Sequence, residues 1–475
     1  MSKKISSLIF SSICGMVVCF AFPPFKYWFL AWFGFVPLLF LMEEKFPGRN
    51  FLKGFLAGFV FYAFLLHWIY SVAGFFYLLI ALYLALFWGI FFSLVFTFPK
   101  KTQVLIGACL WYFLEIIVRH LITGFPWILF SLSQWSLPET GSISAIAGSN
   151  GLSALIIGAN LSLYWMIRYK KFSPVFVTSI IILILYCVAT ININWNIRDR
   201  FVKLAAIQGN SGYFGQNPEE SFENYKKLTE SLESEYDLVV WPESSYPAIL
   251  EDNTEVFHYL LNKSYFFPIL MGTMSERNNN LYNSAYYFNN GKFTIYSKRH
   301  LVPFGEYVPG RKFQVIQRIY SRFSDFLPEV KPGDTTGVFQ LQPCKFSVLI
   351  CFENIFPEIA LQDTKSQDDF TVVITNDSWY GNSFGPYQHF AHNIFRAYET
   401  GRNIVQVSTT GITGFASPSG DVKIFQKNGK KLFVEGIMTI LVPYSEYSKT
   451  VYSIVGDTGI FMLSLLITGV CLCRI

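Results

Sequence analysis

Phe346-Ser347-Val348-Leu349-Ile350-Cys351-Phe352-Glu353 is an apolar run that stops at a cysteine, with a carboxylate two residues on. A short run rich in β-branched and aromatic residues reads as a buried strand. Its end places a thiol where sites form in layered α/β folds, at the carboxyl end of a strand. Two further stretches repeat the pattern. Leu238-Val239-Val240-Trp241-Pro242-Glu243 sets a carboxylate just past an apolar strand, and Tyr296-Ser297-Lys298 sets a lysine past another. Working outward, strands are expected over Val202–Gln208, Leu238–Trp241, Ile269–Gly272, Ala285–Phe288, Phe293–Tyr296, Phe346–Ile350, Val372–Thr375 and Ile404–Val407. A polar helix is expected over Glu219–Glu235. This alternation predicts an α/β layered domain over residues 201–448.

Taken singly, each strand end is unremarkable: a glutamate in a solvated turn, a surface lysine, a buried cysteine. Together they fit one chemistry. A cysteine nucleophile needs a base for its proton, and Glu243 can serve. A tetrahedral intermediate needs positive charge or N–H donors at its oxyanion, and Lys298 and the backbone N–H of Phe352 can supply them. No histidine is placed by motif as a Cys–His base. No spacing suggests zinc, and neither a phosphate-binding loop nor a dinucleotide fingerprint is present, so no metal and no cofactor is expected. Cys344 and Cys351 are seven apart, which puts them on opposite faces of one strand, so no disulfide is expected between them.

The remainder of the chain has a different solvent. Of 475 residues 52% are hydrophobic, 19% aromatic and only 15% charged, against about 25% charged in ordinary soluble domains. This excludes a disordered chain, a disulfide scaffold and a single compact soluble domain. Residues 1–200 hold 14 Lys+Arg and 5 Asp+Glu, whereas 201–475 hold 23 and 27. No basic stripe suits nucleic acid. Charge-free apolar stretches predict eight transmembrane helices. Seven lie in residues 1–197: Ile5–Phe22, Trp28–Met42, two between Gly54 and Pro99 with a hairpin near Ser71–Gly74, Gln103–Val118, Ser142–Ile167 and Ser173–Ile193. The eighth, Thr458–Cys473, lies in residues 454–475. With the N-terminus inside, inner segments carry eleven basic residues and the short outer loops only Lys26 and Arg119. The bias places both termini in the cytoplasm and the α/β domain outside it.

The first span has two lysines and an apolar run but no small-x-small cleavage site, so it is expected to stay as an anchor. Leu121–Gly141 is apolar but broken by Pro126 and Pro138, and should lie at the interface or against protein. Glu115 and Arg119, four apart, are expected to form an ion pair at the outer end of a span, or to meet a lipid head group. The six cysteines in spans are expected to be packing residues.

Glu–Lys–Cys in this order, each at a strand end, resembles the nitrilase superfamily. Eight spans flanking such a domain resemble the apolipoprotein N-acyltransferase family of bacterial membrane enzymes. Phe20-Ala21-Phe22-Pro23-Pro24-Phe25 with Leu30-Ala31-Trp32, Gly124-Phe125-Pro126-Trp127, His300-Leu301-Val302-Pro303-Phe304-Gly305-Glu306-Tyr307-Val308-Pro309, Thr375-Asn376-Asp377-Ser378-Trp379-Tyr380-Gly381 and Gly385-Pro386-Tyr387-Gln388-His389 carry the likeness. The resemblance implies an αββα sandwich in the bacterial inner membrane. It also implies transfer of an acyl chain from a phospholipid, through a cysteine thioester, to the N-terminal amine of a diacylglyceryl-modified apolipoprotein. Carried over, Cys351 is nucleophile, Glu243 base and Lys298 oxyanion stabiliser, with Glu306 and Glu353 at further acidic positions.

Phe352 departs from the family, which often has Tyr there, and the 55-residue step from Glu243 to Lys298 is short for it. Other assignments compete for several residues. Glu353 could instead pair with Arg396, Asn376, Asp377 and Trp379 could shape a turn, and His389 and His392 are expected to be structural. Phe313–Phe326 could be an amphipathic arm or core. The alternative activity is a membrane-tethered amidase or nitrilase-type hydrolase.

Overall fold

The computed structural model describes residues 3–194, 200–211, 216–233, 235–314, 318, 329–444 and 449–473. Among the described residues thirteen strands follow residue 200: β1 Phe201–Gln208, β2 Leu238–Val240, β3 Tyr246–Ile249, β4 Ile269–Arg277, β5 Asn280–Asn289, β6 Lys292–Ser297, β7 Val338–Leu341, β8 Cys344–Ile350, β9 Phe370–Thr375, β10 Asn403–Ser408, β11 Gly414–Ala416, β12 Val422–Ile424 and β13 Gly436–Pro443. They form two mixed sheets. The first has the order β13-β1-β2-β4-β5-β6, with β3 paired to β4; the second runs β12-β11-β10-β9-β8-β7. Every strand expected from the sequence is present. The unexpected ones are short or lie at a sheet edge, where partners rather than an internal pattern define a strand.

Alternation along each strand builds the layers. In β1, Val202, Leu204 and Ala206 face the second sheet, in one core with Val348, Ile350, Val372 and Val405. Ala205 and Ile207 face outward, beneath Phe222 and Tyr225 of the helix Pro218–Glu230. That helix ends five residues before the expected Glu235. It opens with Asn217, whose side chain accepts from the Glu219 N–H, and carries Glu219 and Glu220 in its first turn, which satisfies and complements the helix start. On the far side, the second sheet is covered by the helices Pro357–Thr364 and Gly385–Thr400. The result is the four-layered α/β arrangement expected.

Among the described residues four helices, not eight, are long and apolar enough to cross a membrane: His67–Thr97, Gln103–His120, Ser144–Tyr169 and Val451–Cys473. Ile5–Cys19, Leu30–Phe40 and Ser173–Ala189 are apolar but shorter. The stretch Trp28–Met42 divides into Leu30–Phe33 and Val36–Phe40, with Pro37 opening the second piece. The helix Pro47–Leu65 begins before the charge-free stretch and includes Lys53, whose Nζ donates to the Leu41 carbonyl at 2.6 Å and to Glu43 at 2.8 Å. Gly54 and Gly58 let this helix approach Tyr77–Leu94: a β-carbon on Gly58 would meet the Trp88 side chain at 2.9 Å. Small residues four apart serve such close helix contacts in membranes.

The apolar helices and the sandwich share one core. Phe61, Trp88 and Trp111 belong to the same packed cluster as Leu349, Phe352, Val373 and Ile394. Residues 121–137 are largely irregular and buried against protein, as expected for a segment interrupted by Pro126 and followed by Pro138. Glu115 and Arg119, however, do not pair directly. Arg119 donates to Asn150 Oδ1 at 3.0 Å, Asn150 donates to Glu115 Oε2 at 3.1 Å, and Arg119 makes ion pairs with Asp457 of the last helix and, at 3.6 Å, with Glu358. Side chains four apart can meet on a helix face, but here a second helix inserts between them. Most of the expected arm Phe313–Phe326 lies outside the described residues, as do Arg474 and the C-terminal part of residues 1–197.

Candidate active site

Glu243, Lys298 and Cys351 follow the carboxyl ends of β2, β6 and β8. Pairing within the sheets and stacking between them bring all three to one buried place. Lys298 Nζ lies 3.6 Å from Glu243 Oε1 and 3.0 Å from each carboxylate oxygen of Glu306. Burial works against the lysine's charge, but the Glu306 and Glu243 carboxylates outweigh it and hold its pKa above the ordinary value. Asn283 of β5 ties the two glutamates together, with Nδ2 donating to Glu243 Oε1 and to Glu306 Oε1, each at 2.7 Å. The Asn376 backbone N–H, past β9, donates to Glu243 Oε2 at 2.7 Å, so Glu243 bridges the two sheets. Glu306 is fixed further by the Val302 N–H at 2.7 Å.

Cys351 opens a short 3₁₀ turn, Cys351–Ile355, with φ +52°. A non-glycine residue in the left-handed region is uncommon and must be held there. Burial, then the nearby Glu243 charge, push the thiol pKa well above its usual value, while Lys298 pulls it down.

Glu353 does not pair with Arg396, which binds Glu399 at 2.7 Å. Its buried carboxylate accepts from the Tyr296 hydroxyl at 2.7 Å, the Arg299 N–H at 2.7 Å, the His300 N–H at 3.2 Å and the Ile350 N–H at 2.8 Å. It thus staples the loop carrying Lys298 to the strand carrying Cys351. Asn376 caps its own turn, its Oδ1 accepting from the Ser378 N–H at 3.2 Å and from Thr409 Oγ1 at 2.9 Å. Trp379 is half exposed, and its carbonyl accepts from Ser71 Oγ at 3.2 Å.

One wall comes from the apolar helices. Phe352 stacks against Phe125 and Trp127, with ring centroids 6.4 and 6.2 Å away. Gln388 Oε1 accepts from the indole N–H groups of both Trp68 and Trp127, each at 2.9 Å, and its Nε2 donates to the Leu65 carbonyl at 2.9 Å. His392 donates from Nε2 to the Trp127 carbonyl at 3.0 Å, and burial holds its pKa well below the usual value. His389 Nδ1 meets Asp377 Oδ1 at 2.9 Å and its Nε2 meets the Cys351 carbonyl at 3.2 Å. Asn283 carried no signal in the sequence, since it precedes an apolar run instead of ending one. Cys344 and Cys351 are both free. Among the described residues no three His, Cys, Asp or Glu side chains are grouped to hold a metal.

Comparison with known proteins extends over nearly the whole chain. Residues 14–162 match the family described as Apolipoprotein N-acyltransferase N-terminal domain, and residues 203–452 match the family described as Carbon-nitrogen hydrolase. The apolipoprotein N-acyltransferase of Wigglesworthia glossinidia brevipalpis is 31% identical over 461 residues, covering 89% of each chain. That of Haemophilus influenzae is 29% identical over 506 residues, covering 98% of this chain and 94% of its own. That of Geobacter metallireducens is 30% identical over 474 residues, covering 89% of each.

Proposed function

Since the chain belongs to the apolipoprotein N-acyltransferase family, we propose that it transfers an acyl chain from a membrane phospholipid, by way of Cys351, to a diacylglyceryl-modified apolipoprotein. In the first half-reaction Cys351 Sγ attacks the ester carbonyl of the phospholipid. Glu243 takes the thiol proton and returns it to the leaving alkoxide oxygen, so a lysophospholipid departs and a thioester remains. In the second, the lipoprotein's α-ammonium sheds one proton to solvent and its free amine attacks the thioester. Glu243 relays the amine's remaining surplus proton to the departing sulfur. The amide is formed and the thiol restored.

In both half-reactions the negative charge gathers on the former carbonyl oxygen. Lys298 and the Phe352 N–H are the donors assigned to it. Glu306 and Asn283 hold Lys298 and Glu243 at a fixed separation, so little reorganisation is needed as charge develops. Glu353 acts on the scaffold of this site and does not touch the reacting atoms.

One juxtaposition carries the reading. The thiol's own turn packs on Phe125 and Trp127, in the irregular segment that follows the helix Gln103–His120 and shares a core with the apolar helices, which favours a lipid ester as the group presented to Cys351. A hydrolase would need water at that wall; a transferase needs it apolar. We further assign eight membrane spans: the four long helices, the three shorter apolar ones and the helix Pro47–Leu65. The sandwich is assigned to the outer side of the cell membrane, on the eleven-to-two basic bias of the loops. A reporter active only in the cytoplasm, inserted within Asn278–Asn280, is expected to stay silent; a bright signal there would refute the orientation.

The decisive experiment is incubation of the purified protein with labelled phospholipid. An acyl mass is expected on Cys351, discharged when diacylglyceryl peptide is added. Formation of triacylated peptide by Cys351→Ala at an undiminished rate would mean direct transfer between the two substrates.

A further inference from the structure

The peptide joining Cys351 to Phe352 has two polar ends. Its N–H is the backbone donor assigned above to the oxyanion. Its C=O accepts from His389 Nε2 at 3.2 Å. A peptide is planar, and in the trans form its C=O and N–H point in opposite directions. Whatever grips the carbonyl therefore aims the N–H.

His389 is itself gripped. It lies on the helix Gly385–Thr400, fully buried, with its ring stacked on Trp127 at 5.4 Å and 19°. Nδ1 meets Asp377 Oδ1 at 2.9 Å, and Thr375 Oγ1 donates to that same oxygen at 2.8 Å. A carbonyl only accepts, so Nε2 carries hydrogen. Both bonds form when the Asp377–His389 pair holds two protons, one between Oδ1 and Nδ1 and one on Nε2. Asp377 thus fixes the hydrogen that reaches Cys351, as an orienting carboxylate does for a histidine elsewhere. The bond has a second effect: an amide whose carbonyl is already hydrogen-bonded is a more polar N–H donor.

We propose that His389, oriented by Asp377, is a positioning residue of the oxyanion hole, holding the Cys351–Phe352 peptide so that the Phe352 N–H faces the developing negative charge. It explains why Cys351 stays at φ +52°, a conformation that the strand before it does not impose. The proposal rests on the thioester reading of Cys351.

The test is a pair of variants at one position. Glutamine places its amide nitrogen near the position of Nε2 and keeps a donor toward Cys351. Asparagine places its amide near Nδ1 and keeps only the contact with Asp377. The full-length protein in detergent is mixed with dioleoyl phosphatidylethanolamine, and acylation of Cys351 is followed by intact mass over a range of lipid concentrations. His389→Asn is expected to acylate about 10²-fold slower at saturating lipid, in line with loss of one oxyanion donor, with an unchanged half-saturating concentration. His389→Gln is expected within about tenfold of the wild type. A purely structural histidine that only braces Asp377 predicts the reverse order, rescue by asparagine. Equal losses in the two variants, or a loss confined to the half-saturating concentration, would overturn the proposal. Should the asparagine variant not survive purification, the glutamine variant decides alone: a loss beyond about 10² at an unchanged melting temperature overturns it. If the wild type itself gains no acyl mass at Cys351, the thioester reading has failed instead.

Discussion

Lys298 Nζ sits 3.0 Å from both carboxylate oxygens of Glu306, with the lysine side chain only 1% exposed. This buried pairing fixes an ammonium in position before any substrate arrives. It also explains how a lysine so deeply placed keeps its proton.

Lys298→Arg is expected to be nearly as damaging as Lys298→Ala. Arginine keeps the charge, but its planar fork does not fit where one compact ammonium meets Glu243, Glu306 and the oxyanion together. Each variant should lower thioester formation by about 10²–10³, measured by acyl mass on Cys351. Near-normal rates in the arginine variant would reduce Lys298 to a distant charge.

The burial-raised pKa of Cys351 has a consequence for its reactivity. A raised thiol pKa leaves less thiolate at a given pH, so alkylation by iodoacetamide should be slow at pH 7–8 and still climbing above pH 9. Lys298 works in the opposite direction, so Lys298→Ala should be slower still at each pH. A plateau of reactivity below pH 8 in the wild type would mean that the thiol rests ionised.

Glu353→Ala should act mainly on stability. It leaves four donors, from Tyr296, Arg299, His300 and Ile350, without their carboxylate. Leaving buried donors of this kind unpaired costs about 1–3 kcal/mol each. A clear drop in melting temperature in detergent is expected, with reduced yield. An unchanged melting curve with abolished acylation would instead place Glu353 among the reacting groups.

Arg119 and Asp457 provide a test of how the last helix docks. Arg119→Met and Asp457→Asn should each lower thermal stability, because the first leaves the partly buried Asp457 without its cation and the second leaves the buried Arg119 guanidinium only the longer 3.6 Å contact with Glu358. The double variant should lose less than the sum of the two, with a coupling of about 1 kcal/mol or more. Strict additivity would show that the ion pair does not join the helices Gln103–His120 and Val451–Cys473.

The sequence by itself determined the two unlike parts of the chain and the strands of the sandwich whose ends gather at the site. Apolar runs with few charges mark a part built for lipid, because charge at the bilayer core is costly. Strands that end in Glu243, Lys298 and Cys351 mark a site, because a strand's side-chain alternation and its terminus are both local properties. Only tertiary structure decided the rest. That Asn283 bridges Glu243 and Glu306, that His389 reaches the Cys351 carbonyl, and that Arg119 answers Asp457 rather than Glu115 all depend on contacts between segments far apart in the chain. Helical spacing brought Glu115 and Arg119 to one face, but the insertion of Asn150 between them was settled by packing. Which donor meets which acceptor is fixed when separate elements bury one another, and no local pattern carries that information.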